Sequence, residues 1–503
     1  MDYSDNCDFK LDYADRILGS ELQARVISPE EAVRFIQSGM TVALSGFSKG
    51  HPKLIPVAMA RDKSLSKLTV LQAAGKGSEV LGELGRSESI SRYFAFQWGG
   101  DMRNAINSGR ISHADTHFWR LPQDIRNGIY GKIDVAVIEC AKIYADGSIV
   151  PSLSVGVSQE LLDSADKVLL ELNVSISDKI EGLHDVVQAY KKPLECVNQH
   201  VGAPVLRCQP DKICGIVISG CAEEDMKFSE PSELFRSIAN NVVKVLSNEI
   251  QNGRLDPHFT FQAGSGDVTN AVLAGLQEGG FTELKLYSGV LSDGVLRFIK
   301  SGLVTQASSA VLELSHSAMK EFFDDIEFYK QHIVVRPIEM TSSAMQITAL
   351  DMVSMNTAVE ADIYGNINSS SVMGTKILNG IGGANDFSRN ARLSIFITPS
   401  LAKGENISCI VPMVSHVDNT EHDVGIIVTE WGFADLRGKP PKERAEAIIN
   451  NCCHPVYRQQ LLDYFKNACE LCGNSHMPHD LTTALSWHKR YLDTGSMKEF
   501  SAN

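Results

Sequence analysis

Short β-branched runs alternate with helix-patterned stretches along nearly the whole chain, and this alternation restricts the fold more than any other feature. The runs "MTVALSGF" (40–47), "IDVAVIEC" (133–140), "KVLLELN" (167–173) and "KICGIVIS" (212–219) are bounded by turn residues and read as buried strands. At "CAEEDMKFSEPSE" the chain turns acidic and polar, and residues 233–254 then carry apolar residues at helical spacing with a Gly near the end. The alternation resumes with "FTFQAG" into "VTNAVLAGL" and "ELKLYSG" into "VLRFIKSG". "ARLSIFIT", "ISCIVPMV" and "VGIIVTEW" read as further strands, and "PPKERAEAIINNC" as a helix start. Strands and helices in this order predict an α/β fold with mostly parallel sheets flanked by helices. The 503 residues exceed one ordinary core. We place a boundary near 228, giving two related α/β domains over 1–228 and 229–503.

Charge and cysteine usage narrow the function classes. A net charge of −14 argues against a nucleic-acid or anionic-membrane partner, because both need basic surface. No apolar run approaches membrane-spanning length. The acidic start "MDYSDNCDFKLDYAD" has the form of neither a secretory signal nor a mitochondrial presequence, so a cytoplasmic location is expected. Eleven scattered cysteines are the usage of reduced thiols rather than of a disulfide framework. Cys469 and Cys472 with His476 and His479 have a spacing that could hold zinc, although a lone CxxC is also the ordinary make-up of a helix exit. No metal is expected.

In parallel α/β sheets, ligands bind where strands end in glycine turns. Three such turns occur: Gly264-Ser265-Gly266, Gly380-Ile381-Gly382-Gly383 and the stretch around Gly289. Glycine lets backbone N–H groups approach an oxyanion or phosphate, and it equally makes a plain tight turn. There is no GxxxxGK[ST], no complete GxGxxG with an acidic ribose partner and no GxSxG. Phosphoryl transfer, nicotinamide chemistry and the Ser-His-acid hydrolases are therefore poorly supported. His416 and His422 in "SHVDNTEH" read as members of a polar loop.

Longer segments resemble one family. "SGFSKGHPKLIP", "GKIDVAVIECAKIYADGSIVPSLSVG", "VEADIYGNINSSSVMGTKILNGIGGANDFSRNARLSIF", "IVPMVSHVDNTEHDVGIIVTEWGFADLRG" and "ERAEAIINNCCHPVYR" occur in the order of the acetyl-CoA hydrolase/transferase family of class I CoA-transferases. The resemblance implies two CoA-transferase-type domains with the active site between them, and a homodimer. It implies an acyl-CoA substrate, a small carboxylate acceptor, CoA as substrate or product, and no tightly bound cofactor. It also implies catalysis through a glutamyl-CoA thioester. By the resemblance, the CoA-contact turn falls on Ala263, Gly264, Ser265, Gly266 and Asp267, with the oxyanion donors at the backbone of Ser265 and Gly383. Asn379 and Lys403 match further CoA contacts, and Glu430 matches an acid near the reacting centre.

The nucleophile itself is absent. The family motif Tyr-Ser/Thr-Glu-Val-Leu-Gln appears as Tyr287-Ser288-Gly289-Val290-Leu291-Ser292, so Gly289 occupies the glutamate position. Ser342 and Trp431 replace a family Asn and Gln. Three readings stay open: a hydrolase in which water attacks directly with Glu430 as base, a CoA-binding sensor or partner subunit without catalysis, and a transferase whose nucleophile has moved. Ser288 and Asp293 are poor candidates for the last.

Overall fold

The computed structural model describes residues 13–499 except 189, 226–231, 265 and 474. Most of the acidic N-terminal stretch, the residues at the expected boundary and Ser265 thus lie outside the described residues. Two compact units form: Met1–Lys227 with Leu286–Leu350, and Phe228–Lys285 with Asp351–Asn503. The expected continuous domain over 229–503 does not match them, because Leu286–Leu350 groups with the first unit.

The first unit starts with nine strands. These are β1 (Thr41–Phe47), β2 (Leu68–Lys76), β3 (Ile90–Trp98), β4 (Ser112–Ala114), β5 (Ile133–Ile143), β6 (Ser148–Pro151), β7 (Ala165–Asn173), β8 (Leu206–Arg207) and β9 (Ile213–Ser219). Seven run parallel in the order β4-β3-β2-β1-β5-β7-β9, while β6 adds antiparallel to the far half of β5 and β8 adds antiparallel to β6. The order reverses between β1 and β5. In open parallel sheets a ligand crevice lies at such a reversal, beyond the C-terminal strand ends. Val42 stands level with Val70 and Val135 on neighbouring strands, and all three enter a core that also takes Leu44, Val137, Leu169 and Val217. Such near-continuous apolar runs suit strands buried on both faces. Helix α1 (Leu54–Arg61) follows β1. Its free N-terminal N–H groups at Leu54 and Ile55 donate to the carboxylate of Glu171 at 3.0 and 3.1 Å, so a buried acid on β7 satisfies the helix start.

In the second unit, α2 (Glu233–Gln251) is capped by Ser232, whose hydroxyl accepts from the N–H of Phe235. Then come β10 (Thr260–Ala263) and α3 (Asp267–Glu278), and the chain returns to the first unit along β11 (Leu284–Tyr287). There it forms β12 (Val290–Ser292), α4 (Asp293–Lys300), β13 (Val304–Ser309), β14 (Val311–Glu313) and β15 (Ile333–Val335). Parallel pairs join β12 to β14 and β13 to β15. Long-range contacts explain why this segment belongs with the N-terminal stretch. Leu312 N–H donates to Leu153, Ile338 N–H donates to Gly156, and the fully buried Arg336 pairs with Asp185 and donates to Ser308 Oγ at 2.7 Å.

The rest of the second unit contains β16 (Val353–Thr357), α5 (Ala384–Asn390), β17 (Leu393–Ile397), β18 (Ile426–Thr429), β19 (Gly432–Asp435), α6 (Pro441–Cys452) and α7 (Pro455–Cys472). Strands β10, β16, β17 and β18 are consecutive and parallel, and β19 turns back antiparallel on β18. Phe396, Ile427, Ile448, Ile449, Tyr457 and Trp487 meet in its core. The expected strand 407–414 is instead two short pieces, Ile407–Ser408 and Ile410–Val411. Between them Cys409 donates its N–H to Ser400 and accepts from Ala361, which divides the run between two partners. No helix among the described residues is long and apolar enough to cross a membrane.

Candidate active-site residues

In the first unit, the Tyr-Ser-Gly stretch is held by its backbone. Ser288 N–H donates to Ser308 at 2.9 Å, and the Gly289 carbonyl accepts from Ala310 at 3.1 Å. The buried Tyr287 hydroxyl donates to the Met340 carbonyl at 2.6 Å. A Cβ placed on Gly289 would meet only the Phe47 ring, at 3.7 Å, which is ordinary van der Waals contact. Neither crowding nor backbone angle demands glycine here. Asp293 is engaged: its carboxylate accepts from Ser315 N–H at 2.8 Å and from the Ser315 hydroxyl at 2.6 Å. That is a capping role and leaves it a poor substitute nucleophile. Ser342 is buried at the end of the helix Ile338–Thr341.

Beside this stretch lies a cluster that sequence reasoning did not single out. Lys53 Nζ sits 2.6 Å from Glu139 and 3.0 Å from Glu223, all three at least nine-tenths buried. Burial works against the Lys53 charge, but Glu139 and Glu223 outweigh it and hold the ammonium above its ordinary value. Burial lifts the Glu139 carboxyl against the pull of Lys53, and it pushes His51 down to about 4, so that imidazole is neutral at neutral pH. Gly50 makes this packing possible. Its φ is +65°, and a Cβ there would come within 2.9 Å of Ser152 Oγ and of the Ser154 backbone nitrogen. The signal was present in the sequence: "VIEC" and "LLELN" each carry a glutamate, Glu139 and Glu171, inside an otherwise apolar strand. A carboxylate buried in such a run requires a partner.

In the second unit, the C-terminal edge of β10, β16, β17 and β18 collects most of the remaining candidates. Ala263 ends β10, Gly264 is exposed, and Gly266 precedes α3 with φ +119° and ψ 178°, a region only glycine readily enters. Asp267 opens α3. Gly383 precedes α5, and Asn356 at the end of β16 donates to the adjoining Ala384 carbonyl at 3.4 Å. The Oδ1 of Asn379 is buried with no hydrogen-bond partner. Glu430 follows β18, where both its oxygens accept from Ser400, one from the N–H at 2.9 Å and one from the hydroxyl. Asn241 on α2 steadies this corner by donating to the Thr429 carbonyl at 2.9 Å. Lys403 is exposed at the tip of the hairpin joining Leu401–Ala402 to Ile407–Ser408. Trp431 is 47% exposed, with its ring edge-on to His454 at 5.2 Å.

Among the described residues, no three His, Cys, Asp or Glu side chains could hold a metal ion together. Cys472 donates its thiol to the His479 carbonyl, and the His479 ring bonds the Tyr464 hydroxyl at 2.8 Å, so these groups serve the exit of α7. His416 and His422 pair with Asp418 and Glu421 in a polar loop.

Comparison with known proteins connects the two regions to one family. Residues 10–217 match the acetyl-CoA hydrolase/transferase N-terminal domain, and residues 319–465 match the C-terminal domain. The chain is 40% identical to succinyl-CoA:acetate CoA-transferase of Clostridium kluyveri, over 96% of this chain and 92% of that one. It is 36% identical to acetyl-CoA hydrolase of Schizosaccharomyces pombe, with 96% and 98% covered. It is 35% identical to propanoyl-CoA:succinate CoA transferase of Escherichia coli, with 95% and 99% covered. Among solved structures, RipA from Yersinia pestis superposes with a TM-score of 0.70 at 20% identity, covering 89% of this chain and 98% of that one. The 4-hydroxybutyrate CoA-transferase of Porphyromonas gingivalis superposes with a TM-score of 0.62 at 23% identity, covering 88% and 98%. By sequence along almost its full length, and with a fold of the same kind, the chain belongs to the acetyl-CoA hydrolase/transferase family.

Proposed function

We propose that this chain cleaves a short, acetyl-CoA-like thioester by hydrolysis or CoA transfer without forming a glutamyl-CoA intermediate, and that it works as a cytoplasmic homodimer. The observation that carries this reading is Gly289. The backbone of the motif is bonded, a Cβ at Gly289 would meet only ordinary contact with Phe47, and there is no carboxylate to acylate. In the hydrolytic route, water attacks the thioester carbonyl carbon while Glu430 takes its proton. The oxyanion is held by the backbone donors expected at Ser265 and Gly383. The C–S bond then breaks, and the thiolate leaves as CoA with the proton returned from Glu430. CoA contacts are assigned to Ala263, Gly264, Gly266, Asp267, Asn379 and Lys403. The buried, unpartnered Oδ1 of Asn379 supports that assignment, since a ligand donor would satisfy it. An oxyanion hole with binding alone retains roughly 10³–10⁴-fold acceleration over water.

One observation favours a CoA-binding protein without turnover: both Glu430 oxygens already accept from Ser400, which leaves less capacity to take a proton. A free-thiol assay over a panel of acyl-CoAs, with and without acetate or succinate, separates the readings. Thiol release without acceptor and without a hydroxylamine- or borohydride-sensitive adduct is expected, and Glu430→Gln should slow it at least ~100-fold. A glutamyl adduct would sink the direct-water route. CoA binding with no turnover of any thioester would leave the binding protein.

A further inference from the structure

In the second unit, the candidate CoA residue Asn379 follows a short hairpin in which Ser371–Val372 pairs antiparallel with Lys376–Ile377. Two backbone bonds close its root: the Ser370 carbonyl accepts from Leu378 N–H at 2.7 Å and from Asn379 N–H at 3.5 Å. A buried side chain, Asn368, shapes the outgoing half. Its Oδ1 accepts from Ser371 N–H at 3.0 Å, and its Nδ2 donates to the Ser371 carbonyl at 2.9 Å. The same Nδ2 donates to Glu360 Oε1 at 2.9 Å, and that oxygen also accepts from the N–H and hydroxyl of Ser415 at 2.8 and 2.7 Å. Ser415 lies beside the turn of the hairpin: a Cβ on Gly374, at φ +69°, would come within 3.3 Å of the Ser415 carbonyl oxygen. One buried carboxylate therefore ties both the root and the turn of the segment that leads into Asn379.

The group that completes this carboxylate is remote in sequence. His488, buried on the helix Ser486–Thr494 of the same unit, has Nε2 at 2.7 Å from Glu360 Oε2, the oxygen that neither Asn368 nor Ser415 uses. His488 Nδ1 is buried without a partner, so a proton there would have no acceptor, and the ring gives its Nε2 proton to Glu360. Burial works to lift the Glu360 carboxyl, but the bonds from His488, Asn368 and Ser415 outweigh it and hold the group below its ordinary value. The helix has anchors of its own. Trp487 packs in the core against Tyr457, with ring centroids 5.4 Å apart, and Arg490 donates to the Met497 carbonyl at 2.6 Å.

We propose that His488 is a positioning residue for CoA binding: through Glu360 and Asn368 it fixes the hairpin that presents Asn379. The inference rests on the assignment of Asn379 to CoA in the reading above. Without the imidazole donor, Glu360 Oε2 is a buried anionic oxygen with no partner. The carboxylate then rotates toward other donors and draws Asn368 out of the position that orders Ser371. Asp418 still accepts from the N–H groups of Ser369 and Ser370 at 2.6 and 2.8 Å, so the hairpin loosens rather than unfolds.

Two measurements on the full chain test this: calorimetry with CoA itself, and amide hydrogen exchange across residues 368–379. His488→Phe keeps the ring volume and removes the donor. It should weaken CoA at least ~10-fold and speed exchange at Leu378 by a similar factor, while the helix Ser486–Thr494 and the sheet keep their protection. His488→Gln places an amide donor near the Nε2 position and should return both readings to within about threefold of the starting protein. His488→Leu gives the same reading if the phenylalanine variant does not fold. Unchanged exchange at Leu378, exchange that rises evenly over the whole second unit, or no recovery with glutamine would overturn the assignment. Failure of both donorless variants to fold would make His488 structural and overturn it too. If the starting protein binds no CoA, the acyl-CoA reading fails, and exchange at Leu378 alone decides whether His488 positions the hairpin.

Discussion

The two parallel sheets finish their C-terminal edges in opposite ways. In the first unit the edge is built from buried charge: Lys53 between Glu139 and Glu223, Glu171 on the start of α1, and Lys76 on Glu313. In the second it is built from backbone, with Gly266 at φ +119°, Gly383 ahead of α5, and one carboxylate, Glu430, tied to a serine. A side-chain edge can distinguish one small group from another by charge. A backbone edge can hold an oxyanion or a phosphate whatever the rest of the ligand is. The difference teaches that the two sheets offer different chemistry at their C-terminal edges, and each can be perturbed separately.

The largest effect is expected at the charged edge. Lys53→Met leaves Glu139 and Glu223 buried without their cation and should cost about 3–5 kcal/mol, read as a lower urea midpoint. A second test uses pH. His184, fully buried with Nε2 on the Ser152 carbonyl at 2.8 Å, is pushed down to about 4 by burial. The unfolded chain takes up that proton near pH 6.5 and the folded chain does not. Stability is therefore complete above pH 6.5 and falls by about 3 kcal/mol as pH drops to 4. His51 is pushed down to about 4 as well and acts in the same window, so His184→Gln should lower the slope there by about half, and an unchanged slope would assign it to His51 and other groups. At the backbone edge, Gly266→Ala forces a side chain into a region that costs about 1–3 kcal/mol, and it should weaken CoA binding for every acyl group alike. Acyl-dependent weakening would erase the contrast between the edges. The smallest effect is a gain: Gly289→Glu, with its Cβ at ordinary contact from Phe47, should fold normally and raise acetate-dependent CoA exchange about tenfold. No gain would mean that Ser292, Ser342 and Trp431 have reshaped the pocket as well.

Much of the fold was legible because parallel strands buried on both faces write themselves as continuous apolar runs. β1, β9, β10, β17 and β18 fall within such runs, β5 and β7 overrun theirs by three and two residues, and α2 and α6 carry their own start signals. The regrouping of Leu286–Leu350 was not legible. It depends on pairs such as Arg336 with Asp185 and Leu312 with Leu153, which have no local signature. The glycine turns of the second unit could be found by pattern because glycine marks backbone geometry. The charged edge of the first unit was signalled only in part: Glu139 inside an apolar strand calls for a partner, but Lys49, Lys53 and Glu223 lie in separate stretches and do not show which partner it takes until the sheet brings their ends together.

The interleaved chain path also sets an order of assembly during synthesis. Asp185 leaves the ribosome 151 residues before the arginine that neutralises it in the core. At about 5–20 residues per second, that carboxylate waits roughly ten to thirty seconds for its partner. A gene divided near residue 228 would make the wait permanent, because the N-terminal product would end before Arg336 is encoded.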